Sequence, residues 1–342
     1  MNSKPLPILI VGVAQRTSLE QMYLRAFQAN GCCEIDLLDI EANSPNWSRN
    51  KFVNRFMPEF GHDWASQRLL SHLRCCNDRY RWIIIFKGMQ FSRQILEECR
   101  EMAPTALWIN INPDDPYNRI SRAASNSNVM ESLSFFEVYC IWSQQIASRL
   151  RNDGCNRVIY LPFGYDVSHH VPYKPQHQAP SRLISFIGSW DKEREKVLAQ
   201  LAGYEFRIHG NRWERASRTF PLNSSLSYRD VFGTEMANII ASSDICLNLL
   251  RPQNCGSHNM RTFEIPAMGG LMLTFRTAEQ QEFFPENEAC YMFADVVELK
   301  EKIDYILAHK EEADRVRARG VEYVREHSYD NRARSLLKKL AD

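Results

Sequence analysis

Residues 7–30, PILIVGVAQRTSLEQMYLRAFQAN, join one continuous apolar run to one amphipathic segment. An apolar run of this length is typical of a strand that is buried on both faces of a parallel sheet. Gly12 permits a sharp exit from the strand, and Thr17 or Ser18 can accept hydrogen bonds from the first amides of the following helix. The stretch therefore predicts a strand–helix unit of an α/β fold.

The same alternation recurs along the whole chain. The apolar runs that predict strands are PILIVGV, RWIIIFKG, TALWININ, EVYCIWS, RVIYLPF, RLISFIGS, YEFRIHGN, DICLNLL, LMLTF and ACYMF. Strands that alternate with helical segments of about 10 to 15 residues indicate parallel sheets with helices on both faces. Single hydrophobic cores stop growing at roughly 250 to 300 residues. A chain of 342 residues is therefore expected to form two doubly wound domains.

A stretch rich in proline and histidine separates the two series of strands. Residues 163–181 show no hydrophobic periodicity and predict a hinge linker between a domain of residues 1–162 and a domain of residues 182–327. The final segment, residues 328–342, predicts a helix capped by Ser328. No strand of the second domain is left for this helix to cover, so we expect it to dock on the first domain.

Composition limits the classes of function. Hydrophobic residues make up 44% of the chain, charged residues make up 24%, and the formal net charge is +1, so the chain can build cores but lacks the basic surface of a dedicated nucleic-acid binder. The ten cysteines include no C-x-x-C pair, which favours reduced thiols, no metal site and a cytoplasmic location. No run approaches the roughly 18 apolar residues of a membrane span, and the N-terminus predicts a strand and not a signal peptide.

Two strand-exit loops of the predicted first domain carry polar residues. The loop after the first strand contains Gly12, Arg16 and Thr17 but neither a G-x-G-x-x-G nor a P-loop pattern, so dinucleotide binding by those motifs is disfavoured and an ordinary turn is the alternative. Asp114 and Asp115 follow the run TALWININ. Adjacent carboxylates can bind Mg²⁺ or accept a proton, whereas the flanking prolines favour ordinary turn chemistry.

Two strand-exit loops of the predicted second domain can approach an anion. Gly188 ends the run RLISFIG, and Arg194 lies in the helix that follows. Gly210 and Asn211 end the run YEFRIHGN. Glycines let backbone N–H groups come close to a phosphate, and the start of a helix attracts negative charge. A surface helix with mixed charges is the alternative explanation.

The most informative stretch is residues 256–270, GSHNMRTFEIPAMGG. It combines an apolar helix face with an edge of ionisable residues: Met260, Phe263 and Ala267 form the face, and His258, Arg261 and Glu264 form the edge. An apolar element between two buried strands has little solvated surface to offer a charged edge. Pro266 lacks an N–H group and is expected in the first helical turn or at a kink.

This charged edge predicts a site for a nucleoside diphosphate. If the helix starts near Arg261 and Glu264, the arginine and the unpaired helical N–H groups attract phosphate oxygens. The glutamate can then accept hydrogen bonds from ribose hydroxyls. A purely structural ion pair between Arg261 and Glu264 is the alternative.

Four segments carry a resemblance to a known family. SFIGSWDKEREKVLAQL, HNMRTFEIPAMGGLMLT, FADVVELKEKIDYILAH and VREHSYDNRARSLL resemble, in this order, the C-terminal half of the CgeB-like glycosyltransferases, which are related to the group-1 set. YLPFGYD is similar to the inter-domain hinge of those enzymes. The resemblance covers residues 157–340 well and the N-terminal half less specifically. It implies an α/β chain with the GT-B fold, in which two Rossmann-like doubly wound domains face a central cleft.

The resemblance also implies a reaction. A sugar, of hexosyl or deoxyhexosyl type, would pass from a nucleoside-diphosphate donor on the second domain to a glycan, lipid-linked or protein acceptor on the first, in glycan or glycoconjugate biosynthesis. The fold group generally works without a metal ion, so no cofactor is expected. Exposed Trp47, Arg49, Lys51 and Phe52 would suit peripheral membrane contact, and a charged surface loop is the alternative.

Site residues follow from the Glu-x7-Glu motif of related retaining enzymes. Glu264 matches the second, ribose-binding glutamate, and Gly256 stands where the first is expected, so His258 or Asn259 would serve at the sugar. The implied donor-binding set is Gly188, Arg194, Gly210, Asn211, Arg251, His258, Asn259, Arg261, Thr262 and Glu264, with Arg194 and Arg261 on the diphosphate.

The remaining assignments concern the acceptor and catalysis. Gly12, Arg16 and Thr17 are assigned to the acceptor side. His258, Asp114 and Asp115 are the catalytic candidates, and either aspartate would be the base of an inverting enzyme or would position the acceptor of a retaining one. Two other functions stay open: a non-catalytic scaffold or sensor that binds nucleotide sugars, and a nucleotide-sugar epimerase.

Overall fold

The computed structural model describes residues 6–42, 58–76, 78–118, 124–173, 182–254 and 256–341. The chain divides into two units. Unit 1 comprises Met1–Pro162 with Arg332–Asp342, and unit 2 comprises Phe163–Asn331.

A six-stranded parallel sheet forms the centre of unit 1, in the order β2-β1-β3-β4-β5-β6. Its strands are β1 Ile8–Gly12, β2 Ile35–Asp39, β3 Trp82–Phe86, β4 Leu107–Asn112, β5 Val138–Ile141 and β6 Arg157–Tyr160. Every residue of β1 and β3 is buried, since helices cover both faces of the sheet. This burial on both faces explains why the strands appear in the sequence as continuous apolar runs.

Several helices of unit 1 begin where the sequence offers a capping side chain. They are α1 Leu19–Ala29, α2 Pro58–Arg74, α3 Arg93–Met102, α4 Ser127–Glu131 and α5 Gln144–Asn152. Ser18, Ser92 and Ser143 precede α1, α3 and α5, and each hydroxyl accepts a hydrogen bond from the backbone amide three residues further on. These bonds satisfy N–H groups that the first helical turn leaves without a partner.

A five-stranded parallel sheet forms the centre of unit 2, in the order β11-β10-β9-β7-β8. Its strands are β7 Leu183–Ile187, β8 Glu205–His209, β9 Ile245–Asn248, β10 Met272–Phe275 and β11 Tyr291–Phe293. The helices are α6 Lys192–Ala199, α7 Gly233–Ala241, α8 Arg261–Ala267, α9 Ala278–Phe283, α10 Val296–Ala308 and α11 Lys310–Val324. The two parallel sheets confirm the predicted α/β class with two Rossmann-like folds.

The last helix, α12 Tyr329–Ala341, continues from unit 2 into unit 1. Its residues from Arg332 onward belong to unit 1, where Ala333 and Leu336 are fully buried. Arg334 Nε donates a hydrogen bond of 3.0 Å to Asn30 Oδ1, just after α1.

The first part of the predicted linker 163–181 is bonded into unit 2. Tyr165 forms an isolated β-bridge with Ser328, and a Cβ on Gly164 would lie 2.6 Å from the His327 carbonyl oxygen. Residues 174–181 lie outside the described residues. Residues 163–173 are thus a structured part of unit 2, where they approach the site described below.

Candidate functional site

The carboxyl ends of β7, β8 and β9 bring the candidate residues of unit 2 together. These three strands are neighbours in the sheet, so the loops that leave them emerge side by side. Ligands of open α/β sheets bind beyond the carboxyl ends of the strands. Arg194 lies in α6 after β7, and Arg251 and Arg261 both follow β9.

Arg194 connects the end of β7 to the end of β9. Its NH1 donates a hydrogen bond of 3.0 Å to the Ser189 carbonyl. Its Nε and NH2 donate hydrogen bonds of 3.1 and 2.7 Å to the Leu249 carbonyl. The side chain is 9% exposed. Burial, and after it the Arg251 charge, lower the pKa of Arg194 to about 9, with Asp191 opposing the shift. The guanidinium remains charged at neutral pH, and a bound anion would offset the cost of burying that charge.

Arg261 reaches the same end of β7. Its Nε donates 3.2 Å to the carbonyl of Ile187, the last residue of β7, and its NH1 pairs with Glu264 Oε2. Burial lowers the pKa of Arg261 to about 10, against the raising effect of Asp230. The charge of Arg261 also lowers the pKa of Arg194. Positive charge therefore accumulates at the ends of β7 and β9.

Glu264 is a buried carboxylate with a cationic or hydrogen-bonding group at each oxygen. It is 4% exposed; Oε2 is paired with Arg261, and Oε1 lies 3.5 Å from His170 Nε2. The structural ion pair considered as an alternative is therefore present. It does not exclude a ligand, because a carboxylate oxygen can accept more than one hydrogen bond.

His170 is a site residue that the sequence reasoning missed. Its Nδ1 accepts a 2.9 Å hydrogen bond from the backbone N–H of Asp166, so in the neutral ring the proton is on Nε2, which faces Glu264. The sequence feature that could have indicated it is Asp166, four residues before His170. Because the composition of this stretch predicts a linker, the spacing was not used.

The start of α8 is built by side chains that were assigned to the donor. Asn259 Oδ1 accepts from the Thr262 amide at 3.1 Å, and Asn259 Nδ2 donates 2.9 Å to Asn248 Oδ1. Thr262 is fully buried, and its hydroxyl donates 2.8 Å to Gln280 Oε1. Asn259 and Thr262 therefore fix the junction of β9 and α8. The Thr262 side chain has no exposed surface that a ligand could contact.

Helix α8 starts at Arg261, as the sequence predicts, but Pro266 does not lie in its first turn. The helix has seven residues, and Pro266 is the sixth of them, beyond the first turn. So short a helix has a weak dipole, since few peptide groups add to it. The arginine side chains are therefore the stronger source of positive charge at the start of α8.

The placement of His258 corrects its assignment to catalysis and donor binding. The side chain is fully buried; Nε2 accepts 3.2 Å from the Phe163 amide, and Nδ1 lies 2.8 Å from Glu279 Oε2. Aromatic rings, including Phe263 and Phe283, pack edge-on against it. A ring with both nitrogens engaged and no exposed surface cannot contact a substrate, so His258 joins the segment at Phe163 to the core of unit 2.

The two glycine loops of unit 2 touch each other. Gly210 has φ +149°, and a Cβ there would lie 2.5 Å from the Gly188 carbonyl carbon and closer still to its oxygen. Trp213 Nε1 donates 3.0 Å to that same oxygen, and the Trp190 amide donates 2.9 Å to the Asn211 carbonyl. Only glycine at position 210 permits this contact between the loops.

In the loop that follows β1, a glutamate side chain of the protein itself binds a backbone amide. Glu20 Oε1 accepts 3.1 Å from the Val13 amide, and a Cβ on Gly12 would lie 2.5 Å from Glu20 Cγ. Arg16 and Thr17 are exposed, and the α1 cap is Ser18, not Thr17. Because the carboxylate lies at the loop amide, a phosphate would meet negative charge there.

The two aspartates after β4 have different surroundings. Asp114 Oδ2 pairs with Lys87 Nζ at 2.6 Å, whereas Asp115 Oδ1 accepts 2.9 Å from the Tyr117 amide in a local turn. The Asp115 carboxylate therefore stabilises a local turn, which is what the flanking prolines favour. A pocket of about 440 Å³ that the sequence did not predict also lies in unit 1, and it is lined by Ser125, Asn126, Ser127, Met130 and Glu131.

The described residues also bear on metal binding and on membrane insertion. Within the described ranges, no three His, Cys, Asp or Glu side chains form a group that could hold a metal ion. No helix in the same ranges combines the length and the apolar character needed to cross a bilayer. Trp47, Arg49, Lys51 and Phe52 lie outside the described residues.

Comparison with known proteins identifies the fold. A family model described as glycosyl transferase-like matches residues 193–338, and no curated protein matches the chain. The sucrose-phosphate synthase (tll1590) from Thermosynechococcus elongatus has a TM-score of 0.70 at 14% identity and 98% coverage of both chains. Anabaena Alr3699/HepE in complex with UDP and glucose has a TM-score of 0.68 at 9% identity, covering 98% of this chain and 99% of that one.

A glycosyltransferase from Rickettsia africae ESF-5 is similar to the same extent, with a TM-score of 0.63 at 14% identity and 98% coverage of both chains. At these identities the likeness shows the fold, which is the GT-B fold of glycosyltransferases. The family match, over residues 193–338, includes Arg194, Arg251, Arg261 and Glu264.

Proposed function

We propose that this protein is a glycosyltransferase that moves a sugar from a nucleoside-diphosphate donor, bound on unit 2, to an acceptor bound on unit 1. The observation that carries the proposal is the set of three arginines after β7 and β9: the charges of Arg251 and Arg261 act on Arg194, and Arg261 pairs with the buried Glu264. The glycosyl transferase-like family match and the UDP-bound structure of HepE support it.

The arginine cluster suits the diphosphate. Guanidinium groups bind phosphate oxygens through paired N–H donors, and they are less strongly hydrated than lysine. Arg194 has five N–H groups, and the three bonds to Ser189 and Leu249 leave others for a ligand. Positive side chains fixed in this way would stabilise the charge that develops on the leaving diphosphate without help from a metal ion.

Glu264 suits the ribose. An ionised carboxylate only accepts hydrogen bonds, and ribose hydroxyls can donate them. The pairing with Arg261 offsets the repulsion that a nearby phosphate would otherwise feel. Gly188, Gly210 and Asn211 would border the remaining part of the nucleotide, since their loops leave the neighbouring strands β7 and β8.

The residues that would contact the acceptor are proposed from the chemistry of their side chains alone. We keep Asp114 and Asp115 as candidates for a base or an acceptor ligand, with Asp114 beside the Lys87 ammonium and Asp115 in a local turn. We keep the CgeB-like type, a hexosyl or deoxyhexosyl donor, a glycan, lipid-linked or protein acceptor, and a cytoplasmic location as parts of this proposal.

Replacing Glu264 by glutamine tests the donor site. The amide keeps the size of the side chain but loses the negative charge, so we expect UDP or GDP to bind about tenfold or more weakly in calorimetry, as for loss of a hydrogen bond to a charged group. Glu193→Gln is the matched control, since Glu193 is exposed and its carboxylate pairs with Lys196 on the surface of α6. Equal affinities of parent and E264Q would remove Glu264 from the site.

A non-catalytic protein that binds nucleotide sugars is the second candidate. Gly256 stands at the position of the sugar-facing glutamate, and the buried His258 does not replace it. Incubation of the parent with UDP-, GDP- and dTDP-sugars and a panel of glycan acceptors distinguishes the two functions. Release of the nucleoside diphosphate together with a glycosylated acceptor supports the transferase, and binding with no turnover of any donor supports the second candidate.

A further inference from the structure

Residues 163–170 bring a second set of groups to Glu264. Their backbone is attached to unit 2 on one side by the bridge between Tyr165 and Ser328, and the Tyr329 amide donates 2.8 Å to the Tyr165 carbonyl. His170 is at the end of this segment and is 7% exposed. The segment therefore delivers a buried histidine to the donor-site glutamate.

A tight turn fixes the position of the His170 ring. The His170 amide donates 2.8 Å to the Asp166 carbonyl, and the Asp166 amide donates 2.9 Å to His170 Nδ1. Asp166 Oδ1 accepts from the Ser168 amide at 2.8 Å and from its hydroxyl at 2.6 Å, with His169 Nδ1 3.4 Å away. Since Nδ1 accepts from the backbone, the neutral ring carries its proton on Nε2, the nitrogen that lies 3.5 Å from Glu264 Oε1.

The carboxylate of Glu264 is thus bordered on both sides. His170 Nε2 lies 3.5 Å from Oε1, and Arg261 pairs with Oε2. A carboxylate with one such neighbour can rotate, whereas groups at both oxygens restrict its plane. The contacts described for the His170 ring are with Glu264 from α8 and with the Asp166 amide from its own segment.

We propose that His170 is a positioning residue that holds the Glu264 carboxylate in the orientation in which it accepts hydrogen bonds from the donor's ribose hydroxyls. The inference rests on the proposed function, since it assumes that a nucleotide binds at Glu264. Two substitutions separate this role from a purely structural one.

His170→Asn and His170→Gln each retain one half of the imidazole. An asparagine amide lies near the position of Nδ1, so it can accept from the Asp166 amide but cannot reach Glu264. A glutamine amide extends to the position of Nε2, so it can donate to Glu264 but loses the turn contact. Positioning of Glu264 therefore requires glutamine, and stabilisation of the turn requires asparagine.

The assay compares the affinities for UDP, GDP and ADP with those for their 2′-deoxy counterparts, measured by calorimetry. The base that the parent binds is the one used for the variants. We expect the parent to prefer the ribonucleotide, H170N to bind it about tenfold more weakly with most of the preference lost, and H170Q to stay within about threefold of the parent. Melting curves of the unliganded variants establish that each one is folded.

Each of the other outcomes contradicts the inference, and the pattern of nucleotide affinities shows which assumption is wrong. A parent that binds none of the nucleotides refutes the proposed function and the inference with it. A parent that binds but ignores the 2′-hydroxyl, or an H170N that keeps the parent's preference, refutes the inference alone. Parallel losses for ribo- and deoxynucleotides, with H170Q no better than H170N, indicate a structural histidine. If H170N does not fold, H170Q still tests the inference, because loss of the ribonucleotide preference in H170Q would refute positioning by the Nε2 donor.

Discussion

Replacing Gly210 by alanine tests whether the loops after β7 and β8 must touch for unit 2 to keep its structure. Gly210 has φ +149°, and the new Cβ would lie 2.5 Å from the Gly188 carbonyl carbon. Both partners are backbone, so no side-chain rotation relieves the clash. One of the two loops must move.

The magnitude follows from the strain. A residue forced into a sparsely populated backbone region costs about 1–3 kcal/mol, and each kcal/mol lowers the Tm of a domain of this size by about 2–4 °C. We therefore expect a decrease of roughly 2–12 °C in the melting temperature of G210A. A shift of Gly188 also disturbs the Trp213 bond and the neighbouring Ser189 carbonyl that holds Arg194, so nucleotide affinity should fall as well.

Thermal unfolding followed by circular dichroism measures the effect, and Gly203 supplies the matched control. A Cβ on Gly203 would have no heavy atom within 4 Å, and its φ is not positive, so G203A should melt with the parent. If G210A melts at the same temperature as the parent and G203A, the contact between the two loops is wrong.

Two further predictions concern arginines of unit 2. Arg194→Met should weaken the binding of UDP and of inorganic pyrophosphate about tenfold or more in calorimetry, whereas Lys196→Met, an exposed change in the same helix, should not; equal losses would argue against a specific role of Arg194. Hydrogen bonds from Arg276 lower the pKa of Glu298 from 4.5 to about 2. A depressed carboxyl pKa stabilises the folded state above the unfolded value, and that contribution is lost as the pH falls through the folded value. Arg276→Met should therefore melt below the parent at neutral pH, with a gap that narrows between about pH 5 and pH 2; a gap independent of pH would contradict this.

The fold class was predictable because burial on both faces leaves a direct mark on the sequence. The run RWIIIFKG contains β3, in which all five residues are buried, and DICLNLL contains β9, in which all four are. The order of the strands was not predictable, because it depends on pairing between segments far apart in the chain. For the same reason nothing in the sequence revealed that β9 lies between β7 and β10.

The candidate site was predictable where a residue follows a buried strand. Arg194, Arg261 and Glu264 were selected by that criterion, and the structure brings them to the ends of β7 and β9. The criterion failed for His258, because its partner Glu279 lies 21 positions away and the pairing removes the histidine from solvent. It also missed His170, because a segment rich in proline and histidine resembles a linker until its contacts are known.

Whether unit 2 binds a nucleoside diphosphate is decided most directly by the melting temperature of the parent protein with UDP, GDP, ADP and dTDP, each measured with Mg²⁺ and with EDTA. A ligand at 100 times its Kd adds about 2.7 kcal/mol of stability, so we expect one nucleotide to raise the Tm by roughly 5–10 °C. The shift should be the same with and without the metal. No shift with any of the four nucleotides would contradict a donor site at Arg194, Arg261 and Glu264, and a shift seen only with Mg²⁺ would contradict binding by arginines alone.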